Sequence, residues 1–345
     1  MTGTIQVNEQ GLLEAARGGD EDAFGRLVAP HRSALHAHCY RMLGSVADAE
    51  DALQETLLRA WRGLERFEGR SSLSSWLYRI ATNSSLRALE KRPKRVLPID
   101  YGPPSDPHES IGEPLLESVW VEPYPDARLG LEDGFAAPEA RYEQRESVEL
   151  AFIAALQFLP PRQRAVLILR EVLGFSGEEV AEVLDTTAAS VYSALQRAHK
   201  AVDERLPERS QQETLRSLQD DRIRELVESY VDAWERADVD TVVSMLAEDV
   251  AMAMPPTATW FRGRDALALF LGQRPMSGLL RWRGIPVRAS GQLAIAFYLW
   301  AEDEQAFMAH GVSVLTLRGE EISEITAFLT PESHESLGLP AKIAP

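Results

Sequence analysis

The chain has 345 residues, 45% of them hydrophobic, and a formal net charge of −17 from 36 basic against 53 acidic side chains. Its length suits two or three domains that each bury a core. A protein that grips duplex DNA tightly by itself would be basic, so the acidity argues for DNA binding that depends on a larger partner or for a chain whose charge is unevenly distributed. A single cysteine, Cys39, excludes an internal disulfide and a multi-cysteine zinc site. Residues 1–10 read as unstructured. From Leu12 the pattern turns helical, with Leu12, Leu13 and Ala16, then Ala23, Phe24, Leu27 and Val28, then Leu35, Cys39, Met42 and Leu43. Gly18, Gly19 and Pro30 break it into short helices. His36, His38 and Cys39 cluster, but no fourth ligand accompanies them, so they read as ordinary helix residues and no metal is expected.

From Asp48 onward, Ala49, Leu53, Leu57, Ala60 and Leu64 form a core-facing stripe at helical period. Asp51, Gln54, Glu55, Leu58, Arg59 and Arg62 share the opposite side. Leu58 is the apolar centre of that charged surface, which suits a docking face for another protein. After a Gly/Ser-rich break at 69–75, a second helix starts near Trp76. Leu77, Ile80, Ala81 and Ala88 mark its inner side. Trp76, Arg79, Asn83 and Arg87 mark its outer side, which runs into Lys91, Arg92, Lys94 and Arg95. An aromatic, an amide and cations on one face provide stacking, base-edge hydrogen bonding and phosphate neutralisation for single-stranded DNA. In this order the stretches DAEDALQETLLRAWR and SSWLYRIATNSSLRALEK resemble region 2 of the extracytoplasmic-function (ECF) sigma factors of bacterial RNA polymerase. The resemblance implies a polymerase-docking helix followed by a promoter-melting helix.

Nine of the twenty prolines and many carboxylates lie between Pro93 and Pro138. Such a segment cannot hold one long helix and reads as a partly ordered, extended linker. Within it LLESVWVEPYPD, with Trp120 and Tyr124, is apolar enough to dock on something. The family likeness implies a linker that threads toward the polymerase active-site cleft, where its acidity would mimic nascent RNA.

Helical periodicity returns from Tyr142 to Leu206. Ser176 with Glu179 reads as a capping box for GEEVAEVL, Asp185 and Thr186 as a turn, and Thr187 as the cap of AASVYSALQRAHKAV. Helix, tight turn, helix is the helix-turn-helix pattern. Val191, Leu195, Ala198 and Val202 face inward, and Ser193, Gln196, Arg197 and Lys200 face out toward bases and phosphates. LPPRQRAVLILREVLGFSGEEVAEVL resembles sigma region 4, the reader of the −35 element. Many ECF factors have Lys and Arg where this chain has Tyr192 and Ala194, which predicts fewer phosphate contacts. The SALQRAH variant is similar to a subset of ECF factors that carry an extra C-terminal domain.

Beyond a polar joint at 207–219, an amphipathic helix (Ile223 to Trp234) and a short helix precede strands predicted at 250–254, 293–300, 306–319 and 321–328. Helices followed by a curved antiparallel sheet make an α+β plan, and AEDVAMAMPPTATWFRGRDAL resembles the SnoaL-like cone fold with its enclosed pocket. Trp234, Met252, Trp260, His310 and Phe328 are the pocket candidates, with Met254 and Trp282 as further apolar lining. Asp249, His310 and Arg262 are the residues to test for acid/base work. No carboxylate accompanies His310 in sequence, so no catalytic residue and no cofactor is assigned.

The expected plan is multidomain: sigma region 2 at 12–95, an acidic Pro-rich linker at 96–141, the region 4 helix-turn-helix at 142–206, and an α+β SnoaL-like cone domain at 221–335. Two all-α domains thus precede a regulatory one. The expected partners are core RNA polymerase and promoter DNA, plus a small molecule or an intramolecular contact at the C-terminal domain. No signal-peptide pattern opens the sequence and no apolar run reaches membrane-spanning length, so a cytoplasmic protein without a membrane partner is expected. The alternative is a SnoaL-like enzyme or ligand sensor fused to a helix-turn-helix repressor. A repressor has no use for the docking helix or the Trp/Asn face.

Overall fold

The computed structural model describes residues 2–69, 71–115, 119–129 and 143–345, with residues 2–8 as backbone only. Leu116–Ser118 of the apolar linker stretch, and 130–142, lie outside the described residues. The chain divides into two compact units. One comprises 1–92, 128–130 and 156–204, the other 93–127, 131–155 and 205–345.

The first unit is all-α. Helix α1 (Thr2–Arg17) contradicts the expectation of an unstructured start. Leu12, Leu13 and Ala16 anchor its C-terminal half in a small core, and a helix nucleated there propagates backward at little cost. Asp20 caps α2 (Glu21–Val28), and Gly44, at φ 71°, ends α3 (Arg32–Leu43) in the left-handed conformation. Ser45 and Ser72 cap α4 (Val46–Gly63) and α5 (Leu73–Leu89). The predicted α4 stripe is mostly inside: Ala49, Leu53, Ala60 and Leu64 are buried, while Leu57 is half-exposed. On α5 the division differs from expectation. Leu77 and Ala81 are buried, as are Ser84 and Ser85, whereas Ile80 is half-exposed. Small side chains let α5 approach its neighbours closely, and Ile80 turns to the outer face. His38 Nε2 lies 2.9 Å from Thr82 Oγ1, and burial drives its pKa down to about 3, so it packs as a neutral core imidazole. Cys39 is fully buried, with burial pushing its thiol up to about 12.

Helix α7 (Leu150–Gln157) leads into α8 (Pro161–Leu167), which continues as a π turn through Val172. The capping box of Ser176 and Glu179 is present at α9 (Gly177–Leu184). Asp185 makes the turn at φ 50°, and Thr187 caps α10 (Ala188–Asp203). These helices pack on α3 and α5 within the same unit. Tyr78 and Phe175 meet edge-to-face at 5.6 Å. Gln157 Nε2 donates to the Arg41 carbonyl at 3.4 Å, and the buried Arg164 donates to the Met42 carbonyl.

The second unit is α+β. Helices α11 (Gln211–Ser217), α12 (Asp220–Glu235), α13 (Val239–Ser244) and α14 (Arg264–Gln273) accompany a sheet. Its order is β2 (Trp260–Arg262), β1 (Leu246–Ala253), β6 (Glu321–Phe328), β5 (Ala306–Arg318), β4 (Gln292–Ala301), β3 (Trp282–Ala289). The sheet is mixed, not wholly antiparallel as expected: β1 and β6 are parallel neighbours. A helix and four strands intervene between them, long enough for the crossover that parallel pairing requires. Strand β3 was not predicted, because Gly284 and Pro286 break its pattern. Among the strands it pairs with β4 alone, with one further bridge from Ala289 to Pro125, and an edge strand tolerates proline.

The Pro-rich segment is ordered against this sheet. Val96 bridges Trp120, and a helical turn, α6, spans Pro98–Tyr101. The docking expected of Trp120 and Tyr124 is realised within the unit. Trp120 Nε1 donates to the Pro256 carbonyl at 2.8 Å; the fully buried Tyr124 accepts the Ser290 N–H on its carbonyl at 2.7 Å and donates its own N–H to Ser290 Oγ at 3.0 Å. Burying each ring contributes about 2–3 kcal/mol. Segment 143–155 docks beside it. Glu149 accepts the Gln211 and Gln212 amides at 3.0 and 2.9 Å, and a Cβ at Gly291 would fall 2.6 Å from the Arg145 carbonyl oxygen.

Candidate nucleic-acid interface and enclosed pocket

On α4, Asp51, Gln54 and Leu58 are exposed, and Glu55 and Arg59 are half-exposed and paired to each other. Leu58 keeps 42% of its surface free on the helix face it shares with Asp51, Gln54, Glu55 and Arg59. That is the composition of a contact face with an apolar centre and charged rim.

Between α4 and α5 lies an open groove of about 310 Å³, lined by Arg59, Arg66, Trp76, Ile80, Asn83 and Arg87. Trp76 is half-buried and leans on Phe67, with ring centroids 4.9 Å apart. One face is thereby fixed against the protein and an edge left for an incoming base. Three guanidinium groups and one carboxamide line the groove, and no carboxylate does among the described residues. Arg66 was not singled out from the sequence, and Ile80 was expected on the inner side of α5 but lines the groove. Arg66 follows α4 in a 3-10 turn, beyond the reach of helical periodicity. Arg79 is exposed outside the groove, and Lys91 is exposed past the end of α5.

The basic cluster after α5 is largely engaged. Arg92 pairs with Asp48 and lies 3.6 Å from Asp51. Arg95 is buried, donates to the Trp120 carbonyl at 2.7 Å, and sits 3.5 Å from Glu122. Arg92 is thus offered to the α4 carboxylates before any phosphate arrives.

On α10, Ser193, Gln196, Arg197 and Lys200 are all exposed, while Val191, Ala198 and Val202 are buried. The four polar residues span two turns of one helix face, the arrangement a recognition helix needs. Tyr192 is half-exposed and lies over the start of α9. A Cβ at Gly177 would fall 2.8 Å from its hydroxyl, so glycine is what admits the ring.

The second unit encloses a pocket of about 380 Å³. Trp234, Met252 and His310 line it as expected, with Met254 and Trp282. Trp260 and Phe328 do not. Strand alternation is the reason, because neighbouring residues face opposite sides of a sheet. Ala327 takes the pocket side of β6 and Phe261 the core side of β2. Trp260 instead donates its indole N–H to the Gly102 carbonyl at 2.9 Å. Neither Asp249 nor Arg262 reaches the pocket: Asp249 pairs with Arg318 on the surface, and the Arg262 guanidinium lies 5.3 Å from the Trp260 ring. His310 packs edge-to-face on Trp282 at 5.0 Å, and burial lowers its pKa. Ile111, from the linker, closes part of the wall, and Arg274 at the rim donates to the Glu109 carbonyl at 2.6 Å. No group of three or more His, Cys, Asp or Glu suited to a metal occurs among the described residues. No helix among them is long and apolar enough to cross a membrane.

Comparison with known proteins accords with this geometry. Residues 27–95 match the Sigma-70 region 2 family, 149–202 the Sigma-70 region 4 family, and 227–325 the SnoaL-like domain family. ECF RNA polymerase sigma factor SigG of Mycobacterium tuberculosis is 42% identical over 328 residues, covering 92% of this chain and 84% of SigG. ECF RNA polymerase sigma-E factor of Escherichia coli K12 is 30% identical over 201 residues, covering 58% of this chain and 95% of the relative. The crystal structure of the Mycobacterium tuberculosis extracytoplasmic function sigma factor SigJ superposes with a TM-score of 0.53 at 24% identity, covering 91% of this chain and all of SigJ, and so shares the fold. The chain belongs to the ECF RNA polymerase sigma factors and carries a SnoaL-like domain behind its two sigma regions.

Proposed function

We propose that the chain directs core RNA polymerase to promoters with three surfaces: Asp51, Gln54, Glu55, Leu58 and Arg59 on the polymerase, the Trp76–Asn83 groove on unpaired bases of the −10 element, and Ser193, Gln196, Arg197 and Lys200 on the −35 duplex. The observation that carries this reading is the groove, which combines an aromatic side chain, a carboxamide and three guanidinium groups with no carboxylate among its described lining residues. Of the three guanidinium groups, that of Arg59 is paired to Glu55 beside it. Melting is then driven by binding energy, with stacking and amide contacts offsetting the cost of unstacking.

In the same reading the arrangement seen here is a resting state. The −10 and −35 elements lie about 25 base pairs apart, roughly 85 Å along B-form DNA. A single compact unit holding both sigma regions, with a radius of gyration of about 15 Å, cannot reach both at once. Regions 2 and 4 must separate on polymerase, and the linker must leave the C-terminal domain to enter the active-site cleft. The C-terminal domain acts by holding that linker. Its pocket supports binding, not turnover: His310 is its one imidazole, and no lining residue among those described is a carboxylate that could orient it.

Run-off transcription with core polymerase and a promoter library tests the reading. The wild-type chain should initiate, and an Asn83→Ala/Arg87→Ala variant should still bind polymerase yet form open complexes poorly. Failure of the wild-type chain to associate with core polymerase would overturn it.

A further inference from the structure

The polar residues of the C-terminal pocket are few and placed together. His310 and Ser313 both stand on β5, both line the cavity, and neither ring nitrogen nor the hydroxyl has a hydrogen-bond partner among the described residues. Around them the wall is aromatic and thioether: Trp282, Phe297 and Met252. The Arg274 guanidinium at the rim is already engaged by the Glu109 carbonyl. Leu280, 40% exposed, lines the same cavity, and Leu279 beside it is 88% exposed, so the entrance is apolar. Gly311, between His310 and Ser313 in the chain, also lines the cavity. A Cβ there would fall 2.6 Å from the Phe328 carbonyl oxygen, so the close approach of the neighbouring backbone requires glycine at this point of the wall.

We infer that this pocket takes a neutral small molecule with an aromatic body and one oxygen function that pairs with His310 and Ser313, and that its occupancy fastens the linker to the C-terminal domain through Ile111. The second half rests on the proposed resting state. Residues 105–115 run along the pocket as a strap. Ser105 donates to the Trp260 carbonyl at 2.7 Å, Gly112 N–H to Thr259 Oγ1 at 2.9 Å, and Leu115 N–H to the Pro256 carbonyl at 3.0 Å. Ile111 lies in the middle of the strap and supplies part of the cavity wall. A side chain facing a void lacks dispersion partners on that side, and a ligand supplies them. A ligand that touches Ile111 therefore binds the strapped state more tightly than the released one, and shifts the population toward it.

The neutral naphthyl ketone 6-propionyl-2-dimethylaminonaphthalene has this chemistry and reports on its surroundings by fluorescence. Titrated into the full chain, it should bind saturably with a blue-shifted emission. Ser313→Leu, which fills the cavity, should abolish binding. His310→Leu should weaken it about threefold to tenfold, the loss of one hydrogen bond. Asp303→Asn, in the exposed turn between β4 and β5 and outside the lining, should leave it unchanged. Hydrogen exchange then reads the coupling: the Gly112 and Leu115 amides should exchange several-fold more slowly with the probe bound. Absence of saturable binding, or binding indifferent to both cavity substitutions, overturns the site. Binding at the site with unaltered exchange at protected Gly112 and Leu115 overturns the coupling alone. Amides that are unprotected before any probe is added overturn the strapped resting state itself, a different failure.

Discussion

The guanidinium of Arg164, in region 4, donates to the main-chain carbonyl of Met42, one of the last carbonyls of α3 in region 2. Gln157 places its amide on the neighbouring Arg41 carbonyl. A helix C-terminus carries unsatisfied acceptors and partial negative charge, so region 4 supplies both the donors and the positive charge that this end of α3 requires. Burial brings Arg164 down to about 10, which leaves it protonated at neutral pH. The Tyr78–Phe175 edge-to-face pair closes the same contact. Phe175→Leu keeps an apolar side chain and removes the ring pair, worth about 1 kcal/mol. If the closed arrangement competes with polymerase, that loss should tighten apparent affinity for core polymerase about fivefold while lowering the melting temperature. Titration of core polymerase beside calorimetry checks both.

Leu58→Asp should leave stability within about 0.5 kcal/mol, since the side chain is 42% exposed and lies on the outer face of α4. It should cost about 2 kcal/mol in polymerase affinity, the loss expected of a central interface residue. Fluorescence anisotropy against core polymerase, with a circular-dichroism melt as control, reads the two quantities separately.

Lys200→Ala and Arg197→Ala should differ in kind on the −35 element. A lost phosphate contact weakens binding to all sequences alike and reduces the salt slope by about one. A lost base contact costs about 1–3 kcal/mol and relaxes preference at one position. Holoenzyme binding to −35 variants across a salt series distinguishes them, with Lys200→Ala expected to behave in the first way and Arg197→Ala in the second.

Much of the sigma half was legible because its helices are amphipathic at one period. The α4 stripe, the Ser176 capping box and the outward row of α10 follow from spacing alone. Charges that fold inward gave no such signal: nothing in the pattern marks Arg164 or Glu149, and only the structure shows them satisfying helix ends. Serines 84 and 85 were hidden on α5 for the converse reason, being small enough to bury without being apolar. In the C-terminal domain, strands were found where alternation was unbroken and missed at β3, where Gly284 and Pro286 interrupt it. The assignment of Trp260 and Phe328 to the pocket failed because aromatic identity was read without the face that strand alternation gives them. The linker has no periodicity to read, yet Trp120 and Tyr124 were conspicuous for their cost if left in water.

Glu149 gives a pH signature. Burial is the main cause raising its pKa from 4.5 to about 7, against the hydrogen bonds from Gln211 and Gln212 that favour the charged form. A folded pKa above the unfolded one contributes stability that is present below pH 4.5 and lost as pH rises through about 7. The contribution is at most about 3 kcal/mol. Thermal melts from pH 5 to 8 should therefore show the wild-type chain losing stability relative to Glu149→Gln as pH rises.

The most direct test follows the two sigma regions as polymerase binds. Cys39 is buried, so cysteines introduced at the exposed positions Asp22 and Glu182 would be the ones labelled with a donor–acceptor dye pair. Energy transfer should be efficient in the free chain and fall sharply when core polymerase is added. Efficiency that is already low in the free chain, or that stays high in the holoenzyme, would contradict a specificity subunit that rests closed and opens on its polymerase.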